Sequence, residues 1–354
     1  MENKNNKIAF ITGEYSEGDF TSGGLKLNFE LILELLNRGY DVDIFSQKYL
    51  LKRGIVNGYY DFKELENIDL KSNYALIISE KGIYPSDVTY IHDHSYAYRA
   101  EKINKSWFSK ILYNVFACKK HKKRRDNDVC IKQNLDKTSK IIVSSQVLKN
   151  DMMKNFAQSE DKLFILPPAI KYDSSALFKS RQKTIIFGLS AIGLKRKGFY
   201  EVLNAVKKLR KSNKNFVIKV IYPKFEKNIP LRIYLKLFKI DKYFEFCLQQ
   251  KNMDKFYSGI DYMLMPSRVE PFGMVATEAM SHFKPALATS CCGACDVIAN
   301  EKLICESENL HSYMKTLIEL SDEEYEFLAK SAYNKVKNMG WGDFCNRYIE
   351  ILKK

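Results

Sequence analysis

The stretch KIAFITGEYSEGDFTSGGLKLNFELILELLNRGYDVDIFS, residues 7–46, decides the fold. It opens with a short apolar run, Lys7–Thr12, and closes with another, Asp41–Ser46, and both predict buried strands. Between them a loop ends at Gly23–Gly24, apolar residues then recur at helical spacing, and Gly39 ends the helix. A strand, a helix and a strand in this order predict the first unit of a parallel α/β sheet.

The same alternation continues along the chain, stops at Pro167–Pro168 and then restarts. We expect further strands near residues 74–79, 88–92, 141–145, 162–166, 184–189, 216–222, 243–247, 262–265 and 286–289. A length of 354 residues is typical of about two domains. The pattern therefore predicts two similar α/β domains, with the boundary between residues 168 and 182.

Composition excludes several classes of protein. Apolar residues make up 45% and charged residues 28% of the chain, which is ordinary for a globular protein and excludes a disordered or collagen-like chain. No apolar run approaches the ~20 residues of a membrane span, and the first residues contain no hydrophobic signal-peptide core. We expect a cytoplasmic protein whose eight cysteines, which show no framework spacing, are reduced.

Positive charge is concentrated in two zones. Residues 171–260 hold 21 Lys and Arg against six Asp and Glu, and residues 102–125 hold nine Lys and Arg with no acid. Residues 103–118 place apolar side chains on one helical face, and the run KKHKKRR follows at 119–125. This composition is typical of an interfacial helix on an anionic membrane, but equally of a core-packed helix with a solvated basic tail.

The string PSRVEPFGMVATEAM, residues 266–280, is the strongest chemical signal. It follows an apolar strand and predicts a helix that begins near Gly273, with Glu270 in the loop before it and Glu278 inside it. A helix N-terminus presents free N–H groups to an anion. Two carboxylates so placed could hold hydroxyls at opposite ends of an elongated ligand with a phosphate between them. Two carboxylates at this spacing alone are usually solvated charges on a helix surface, and the full string is far more specific.

This string resembles the E-x7-E region of retaining, GT-B fold glycosyltransferases of the family-4 type. The resemblance extends over essentially the whole chain and keeps the family's order of elements. It includes the first strand–helix–strand unit, YIHDHSY at 90–96, IIVSSQVLKNDMMKNF at 141–156, the Lys197–Gly198 loop, the Cys291–Asp296 loop and the terminal helix that starts at Trp341.

The resemblance implies a GT-B fold, with two Rossmann-like parallel-sheet domains that face a central cleft. Residues 1–168 would bind the acceptor and residues 169–338 the nucleotide sugar, while a helix in 339–354 would cross back to the first domain. The implied reaction moves a sugar from a nucleotide donor, usually a UDP-sugar, with retention of configuration and without a metal or another cofactor. Lipopolysaccharide, capsule or a related envelope polysaccharide is the implied product, made on the inner face of the membrane.

The resemblance also implies roles for individual residues. Glu270 would contact sugar hydroxyls and Glu278 the ribose, while Lys197 and Arg196 would neutralise the leaving diphosphate. The remaining donor-site residues would be Gly23 and Gly24 in the first domain and, through backbone N–H groups, Phe272, Gly273, Met274 and Val275. His92 would lie near the reacting sugar and acceptor, with Asp93 and His94 on the acceptor side and His94 as the second choice for the active-site histidine.

Three departures from the family pattern leave alternatives open. The strand before the Lys-Gly loop ends Gly188-Leu189-Ser190 where Gly-Arg is usual, Pro168-Ala169 replaces Asn-Gly, and Cys292-Gly-Ala-Cys295-Asp296 replaces Gly-Gly-x-x-Glu. A GT-B-like scaffold or partner protein without transfer activity is therefore the main alternative. A GT-B epimerase or phosphorylase, a nucleic-acid binder and a zinc or redox site at Cys292 and Cys295 have less support, and we expect no nucleic-acid partner and no metal.

Overall fold

The computed structural model describes residues 6–17, 23–50, 54–56, 58–103, 118–170, 176–212, 215–248 and 253–354. The chain divides into two compact units. The first consists of Met1–Ala169 together with Gly340–Lys354, and the second of Ile170–Met339. In the described parts of the chain, no helix combines the length and the apolar character needed to cross a membrane.

Within the described residues, the first unit is built on a parallel sheet of seven strands. The strands of this sheet are β1 (Lys7–Thr12), β3 (Asp41–Ser46), β5 (Gly58–Asp61), β6 (Leu76–Glu80), β7 (Val88–Ile91), β8 (Lys140–Val143) and β9 (Leu163–Ile165). A separate ribbon consists of β2 (Tyr15–Ser16) and β4 (Tyr49–Leu50). The order across the sheet is β5-β3-β1-β6-β7-β8-β9. The expected strands are present, and the short edge strand β5 was not expected because its sequence, GYYD, is neither apolar nor alternating.

Helices cover this sheet and complete its core. They are α1 (Gly23–Asn37), α2 (Leu70–Asn73), α3 (Tyr96–Ile103), α4 (Cys118–Asp136), α5 (Gln146–Asn155) and α13 (Trp341–Lys353). The last of these comes from the end of the chain, and its buried Phe344 and Tyr348 share a core with Leu31 and Leu35 of α1. The ring of Phe344 also meets Tyr90 of β7 edge-on, at 6.0 Å between centroids.

The second unit repeats the architecture, and its described residues form a parallel sheet of six strands. Its strands are β10 (Ile185–Ser190), β11 (Phe216–Ile221), β12 (Phe244–Cys247), β13 (Tyr262–Met265), β14 (Ala286–Thr289) and β15 (Ile304–Cys305). Its helices are α6 (Phe199–Leu209), α7 (Ile229–Leu237), α8 (Asp254–Ser258), α9 (Met274–Met280), α10 (Cys295–Ile298), α11 (Leu310–Glu319) and α12 (Asp322–Val336). The order across the sheet is β12-β11-β10-β13-β14-β15.

Strand order determines which loops meet. In the second unit β10, β13 and β14 are neighbours, so the loops that leave their carboxyl ends lie at one edge of the sheet. In the first unit the same holds for β1, β6 and β7. Ligands of open α/β sheets bind at such carboxyl edges, and the predicted site residues follow these strands.

Candidate active site

Two basic side chains hold Glu270 at the carboxyl edge of the second sheet. Lys197, in the loop after β10, places its Nζ 2.5 Å from Oε2 of Glu270, in the loop after β13. Arg196 contacts the same oxygen through Nη1 at 3.0 Å and also donates to the carbonyl oxygen of Val269. The structure therefore brings Glu270 together with two other predicted donor-site residues that lie more than 70 positions before it in the chain.

The ion pairs determine the charge state of Glu270. Its side chain is only 12% exposed, and burial by itself would raise the pKa of the carboxyl. The charges of Lys197 and Arg196 outweigh burial and hold the pKa of Glu270 below its usual value. Both cations contact Oε2, and within the described residues no hydrogen bond is made to Oε1. Glu270 is thus an anion with one oxygen available to a ligand hydroxyl.

Backbone contacts fix the loop that carries Arg196 and Lys197. Gly198 has φ +71°, and a Cβ atom there would overlap the carbonyl oxygen of Pro266. The backbone N–H of Arg268 donates to the carbonyl oxygen of Arg196 at 2.9 Å, and the Arg268 side chain pairs with Glu201 on α6 at 2.6 Å. The two loops are therefore held together independently of the contact between Lys197 and Glu270.

The start of α9 also requires a glycine. Gly273 has φ +98°, and a Cβ atom there would lie 2.8 Å from Cε of Met265 and 2.9 Å from Sγ of Cys292. Phe272 is buried, while Met274 and Val275 are partly exposed at the first turn. Carbonyl groups of the loop bind the segment after β14, since Glu270 O accepts from the N–H of Gly293 at 3.0 Å.

Glu278 lies on α9 and has a partner that the sequence did not reveal. The hydroxyl of Tyr257, on α8, donates to Oε2 of Glu278 at 2.6 Å. Burial and then the nearby Glu278 carboxylate raise the pKa of Tyr257, so the phenol stays protonated and remains a donor. Tyr257 therefore orients the carboxylate that we expected to bind ribose.

The departures from the family pattern have a structural outcome. Leu189 is buried in the core, so its side chain offers no charge to a ligand, whereas Arg196 reaches Glu270.

The thiol of Cys292 donates to Phe272 O at 3.1 Å and that of Cys295 to Thr289 O at 3.3 Å. Burial raises the pKa of both thiols, to about 12 for Cys295. Among the described residues no group of three or more His, Cys, Asp or Glu is placed to hold a metal.

In the first unit, His92 follows β7 and faces the start of α1. A Cβ atom at Gly24 would lie 2.7 Å from Nε2 of His92, so the imidazole rests directly against that glycine. Gly23, the first residue of α1, precedes this contact. The predicted residues Gly23, Gly24 and His92 thus lie at one edge of the first sheet.

A buried carboxylate that sequence reasoning missed faces the same histidine. Oε1 of Glu80, at the end of β6, lies 3.4 Å from Nε2 of His92 and 3.2 Å from Nζ of Lys81. The hydroxyl of Thr12 donates to Glu80 Oε2, and Asn28 donates to that hydroxyl at 3.4 Å. The sequence signal that could have identified Glu80 is an adjacent Glu and Lys at the end of an otherwise apolar strand.

Burial lowers the pKa of His92, and this is the largest influence on the ring. The carboxylate of Glu80 acts in the opposite direction and the ammonium of Lys81 in the same direction as burial. His92 is therefore neutral at pH 7 and able to accept or donate one proton.

Asp93 and His94 do not join His92. The carboxylate of Asp93 pairs with Arg99 of α3. His94 is buried and its Nδ1 lies 2.8 Å from Oδ2 of Asp151, which also accepts from the N–H of Ser95 at 2.9 Å. Both residues nevertheless line a cavity of about 680 Å³ in the first unit, beside the basic side chains of Arg99 and α4.

The basic zone at 102–125 is described only in part. Residues 104–117, which include most of the proposed interfacial helix, lie outside the described residues. Lys102 lies over the ring of Tyr98, 5.7 Å from its centroid. Lys122, Lys123, Arg124 and Arg125 on α4 are exposed, and they form the basic patch of this unit.

Comparison with known proteins supports the fold. Residues 173–338 match the family model of glycosyl transferases group 1. No curated protein sequence matches the chain.

Solved structures match over nearly the whole chain. WaaG, a glycosyltransferase involved in lipopolysaccharide biosynthesis, is 16% identical with a TM-score of 0.71 over 98% of this chain and 99% of its own. The lipopolysaccharide outer core galactosyltransferase WaaB is 14% identical, with a TM-score of 0.65 over 98% and 99%. HepE from Anabaena, solved with UDP and glucose, is 12% identical, with a TM-score of 0.64 over 98% and 99%. The predicted fold class is confirmed: both α/β units carry parallel sheets and match GT-B glycosyltransferase structures.

Proposed function

We propose that the chain is a retaining glycosyltransferase that moves a sugar from a UDP-sugar to an envelope glycan or lipid-linked acceptor. The observation that carries the proposal is the anionic Glu270 held by Lys197 and Arg196, in the unit that matches group 1 glycosyl transferases. Two cations and a carboxylate at one sheet edge suit a ligand with both a diphosphate and sugar hydroxyls.

The donor would lie along the loop and helix that join the two glutamates. Oε1 of Glu270 would accept from a sugar hydroxyl, and Glu278, oriented by Tyr257, would accept from the ribose. Backbone N–H groups of Phe272, Gly273, Met274 and Val275 would meet the sugar and the diphosphate. The presence of UDP and glucose in the HepE structure favours a UDP-sugar as the donor.

Lys197 and Arg196 would stabilise the leaving group. When the bond between the anomeric carbon and the phosphate oxygen breaks, negative charge grows on the diphosphate, and one well-placed donor at such a charge contributes about 3–4 kcal/mol. The new bond to the acceptor oxygen forms on the same face of the sugar, and the acceptor proton passes to the leaving phosphate oxygen. Retention of configuration follows.

The first unit would supply the acceptor side. Neutral His92, with Gly23 and Gly24 beside it, would contact the reacting sugar, and Asp93 and His94 would lie nearer the acceptor. We further propose a cytoplasmic enzyme that lies on the inner face of the membrane through residues 102–125. The exposed cations on α4 support this, since each basic residue close to an anionic surface adds about 1 kcal/mol.

The first experiment is a calorimetric and thermal-shift screen of nucleotide sugars on the wild type, Glu278→Ala and the control Glu323→Ala. Glu323 is an exposed glutamate on α12 of the same unit. At 100 times Kd, a ligand raises the free energy of unfolding by about 2.7 kcal/mol. We expect one UDP-sugar to stabilise the wild type and the control but not Glu278→Ala. Failure of every UDP, GDP, ADP, CMP and dTDP species to bind would favour the inactive scaffold.

Catalysis is tested separately from binding. Lys197→Met should retain donor binding within about tenfold but lower kcat by about 10²–10³, because its charge acts mainly on the leaving group. The anomeric configuration of the product, read by NMR, should equal that of the donor. An inverted product would contradict the retaining mechanism.

Membrane association is tested with liposomes. Changing Lys122, Lys123, Arg124 and Arg125 to Gln should weaken co-sedimentation with anionic vesicles and leave co-sedimentation with zwitterionic vesicles unchanged. Equal binding of wild type to both kinds of vesicle would refute the electrostatic attachment.

A further inference from the structure

A cavity in the second unit lies beyond the carboxyl end of α9, whereas the pair formed by Lys197 and Glu270 lies before its start. Its volume is about 420 Å³, within the range of sites for small molecules. The polar side chains that line it are Lys179, Asp254, Lys255, Ser258, His282 and Lys284. None of them has a role in the proposed transfer reaction.

Lys284 is the most unusual residue of this cavity because its cationic side chain is buried. It is 4% exposed, and among the described residues its Nζ makes no hydrogen bond and has no carboxylate oxygen within 4.0 Å. The carboxylate of Asp261 acts on it at longer range, but that group accepts from the backbone N–H of Ile186 at 2.8 Å. An ammonium in this setting is costly unless an anion comes to it.

His282 contributes a second unsatisfied group. Its Nδ1 lies 2.9 Å from the carbonyl oxygen of Glu278, and since a carbonyl only accepts, Nδ1 carries a proton. Nε2 is buried and has no hydrogen-bond partner among the described residues, although Oδ1 of Asp254 is 3.4 Å away. Nε2 is therefore the ring nitrogen through which His282 can form a hydrogen bond with a ligand oxygen.

The charges that surround the cavity select the ligand. Among the described residues, three lysines and one carboxylate line it, and these four groups carry a formal excess of two positive charges. A phosphate monoester carries between one and two negative charges near neutral pH and offers three acceptor oxygens. We propose that this cavity binds the phosphate group of a small molecule, with Lys284 at its base, Lys179 and Lys255 at its mouth and His282 on the phosphate oxygen.

The inference goes beyond the proposed sugar transfer and is tested without it. The full chain is labelled with 15N-histidine, and inorganic phosphate is titrated while the imidazole signals are followed by NMR. The chain has five histidines, and His282→Gln identifies the relevant signal. We expect the His282 signal to shift saturably, while the signal of His311, which lies on α11, stays in place.

Variants then locate the phosphate. Lys284→Met, which keeps the length of the buried side chain, should weaken phosphate binding at least tenfold. Lys255→Met, an exposed change with little effect on folding, should weaken it severalfold. Lys315→Met, the same change on the exposed face of α11, should leave the affinity unchanged, and so should Lys197→Met, which separates this cavity from the donor site. An unshifted His282 signal, or equal affinity in Lys284→Met and Lys315→Met, would overturn the proposal.

Two further titrations distinguish the sources of the phosphate group. Glucose 1-phosphate represents a soluble sugar phosphate, and phosphatidic acid in phosphatidylcholine vesicles represents a lipid headgroup. Tighter binding of the first than of inorganic phosphate, lost in Lys284→Met, identifies a soluble ligand. Co-sedimentation with the second that Lys284→Met abolishes and Lys315→Met does not identifies the headgroup.

Discussion

At the level of single residues, His92 receives opposing influences from two neighbours of opposite charge. Glu80 and Lys81 are adjacent in sequence, and a salt bridge of 3.2 Å joins them. The carboxylate favours the imidazolium form and the ammonium disfavours it, while burial disfavours it most. The pair therefore tunes the protonation of His92, and each member can be removed on its own.

Glu80→Gln should lower the pKa of His92 further, because the larger of the two carboxylate charges that favour the imidazolium, those of Glu80 and Asp93, is removed while burial and Lys81 remain. Lys81→Met should raise that pKa, since a charge that opposes protonation is lost. The measurement is a pH titration of the His92 Cε1–H signal by NMR. Shifts of equal sign in the two variants would contradict the geometry around Glu80.

Gly24→Ala should displace the His92 ring, because the new Cβ would lie 2.7 Å from Nε2. We expect transfer activity to fall by at least tenfold. The midpoint of thermal unfolding should change little, since the His92 ring can move aside without a shift of the backbone. Gly13→Ala is the matched control, because a Cβ atom there meets nothing within 4 Å. Equal activity of the two variants would mean that the contact between Gly24 and His92 is unimportant.

At the level of elements, the loop from Ser190 to Gly198 shows how a turn positions two cations. Both Gly193 and Gly198 have positive φ, at +88° and +71°. Only Gly198 is pressed against the neighbouring loop, where it faces the carbonyl oxygen of Pro266. The glycine of the Lys-Gly pattern is thus required by packing.

Gly193→Ala and Gly198→Ala separate these two effects. Left-handed backbone costs an alanine about 1–2 kcal/mol, and both variants incur this strain. Gly198→Ala must in addition push the loops apart, so its free energy of unfolding should fall by clearly more than that of Gly193→Ala, and Lys197 should lose its contact with Glu270. Chemical denaturation of both variants measures the difference. Equal losses of unfolding free energy in the two variants would show that the loop can move away from Pro266 without cost.

At the level of the whole molecule, the chain returns to its first unit at its end. Phe344 and Tyr348 of α13 lie in the core of the first unit, although the second unit, Ile170–Met339, separates them from it in sequence. The stability of the first unit therefore depends on the last residues of the chain.

Phe344→Ala should destabilise the first unit by about 3–5 kcal/mol, the range for removing a buried aromatic side chain. Hydrogen exchange should show lost protection in β1, β7 and α1, with protection of β10 and β13 unchanged. The control Phe327→Ala, at a side chain on α12 that is 77% exposed, should change neither unit. Loss of protection in β10 and β13 with Phe344→Ala would contradict the assignment of α13 to the first unit.

Several features follow from the sequence by itself because their signals are local. Alternation of apolar strands and helices predicts two parallel α/β sheets, and each sheet is present. The strings around Glu270, Lys197 and His92 mark the loops after β13, β10 and β7. Edge strand β5 was not predicted because a short polar strand has no periodic pattern of apolar residues.

Only the tertiary structure decided which side chains meet. Glu80 faces His92 because β6 and β7 are neighbours in the sheet, and Tyr257 reaches Glu278 because α8 packs beside α9. The burial of Lys284 likewise depends on packing that its sequence neighbours do not reveal. The spacing of residues in the sequence does not predict such contacts, since they depend on the sheet order, which forms when distant strands pair.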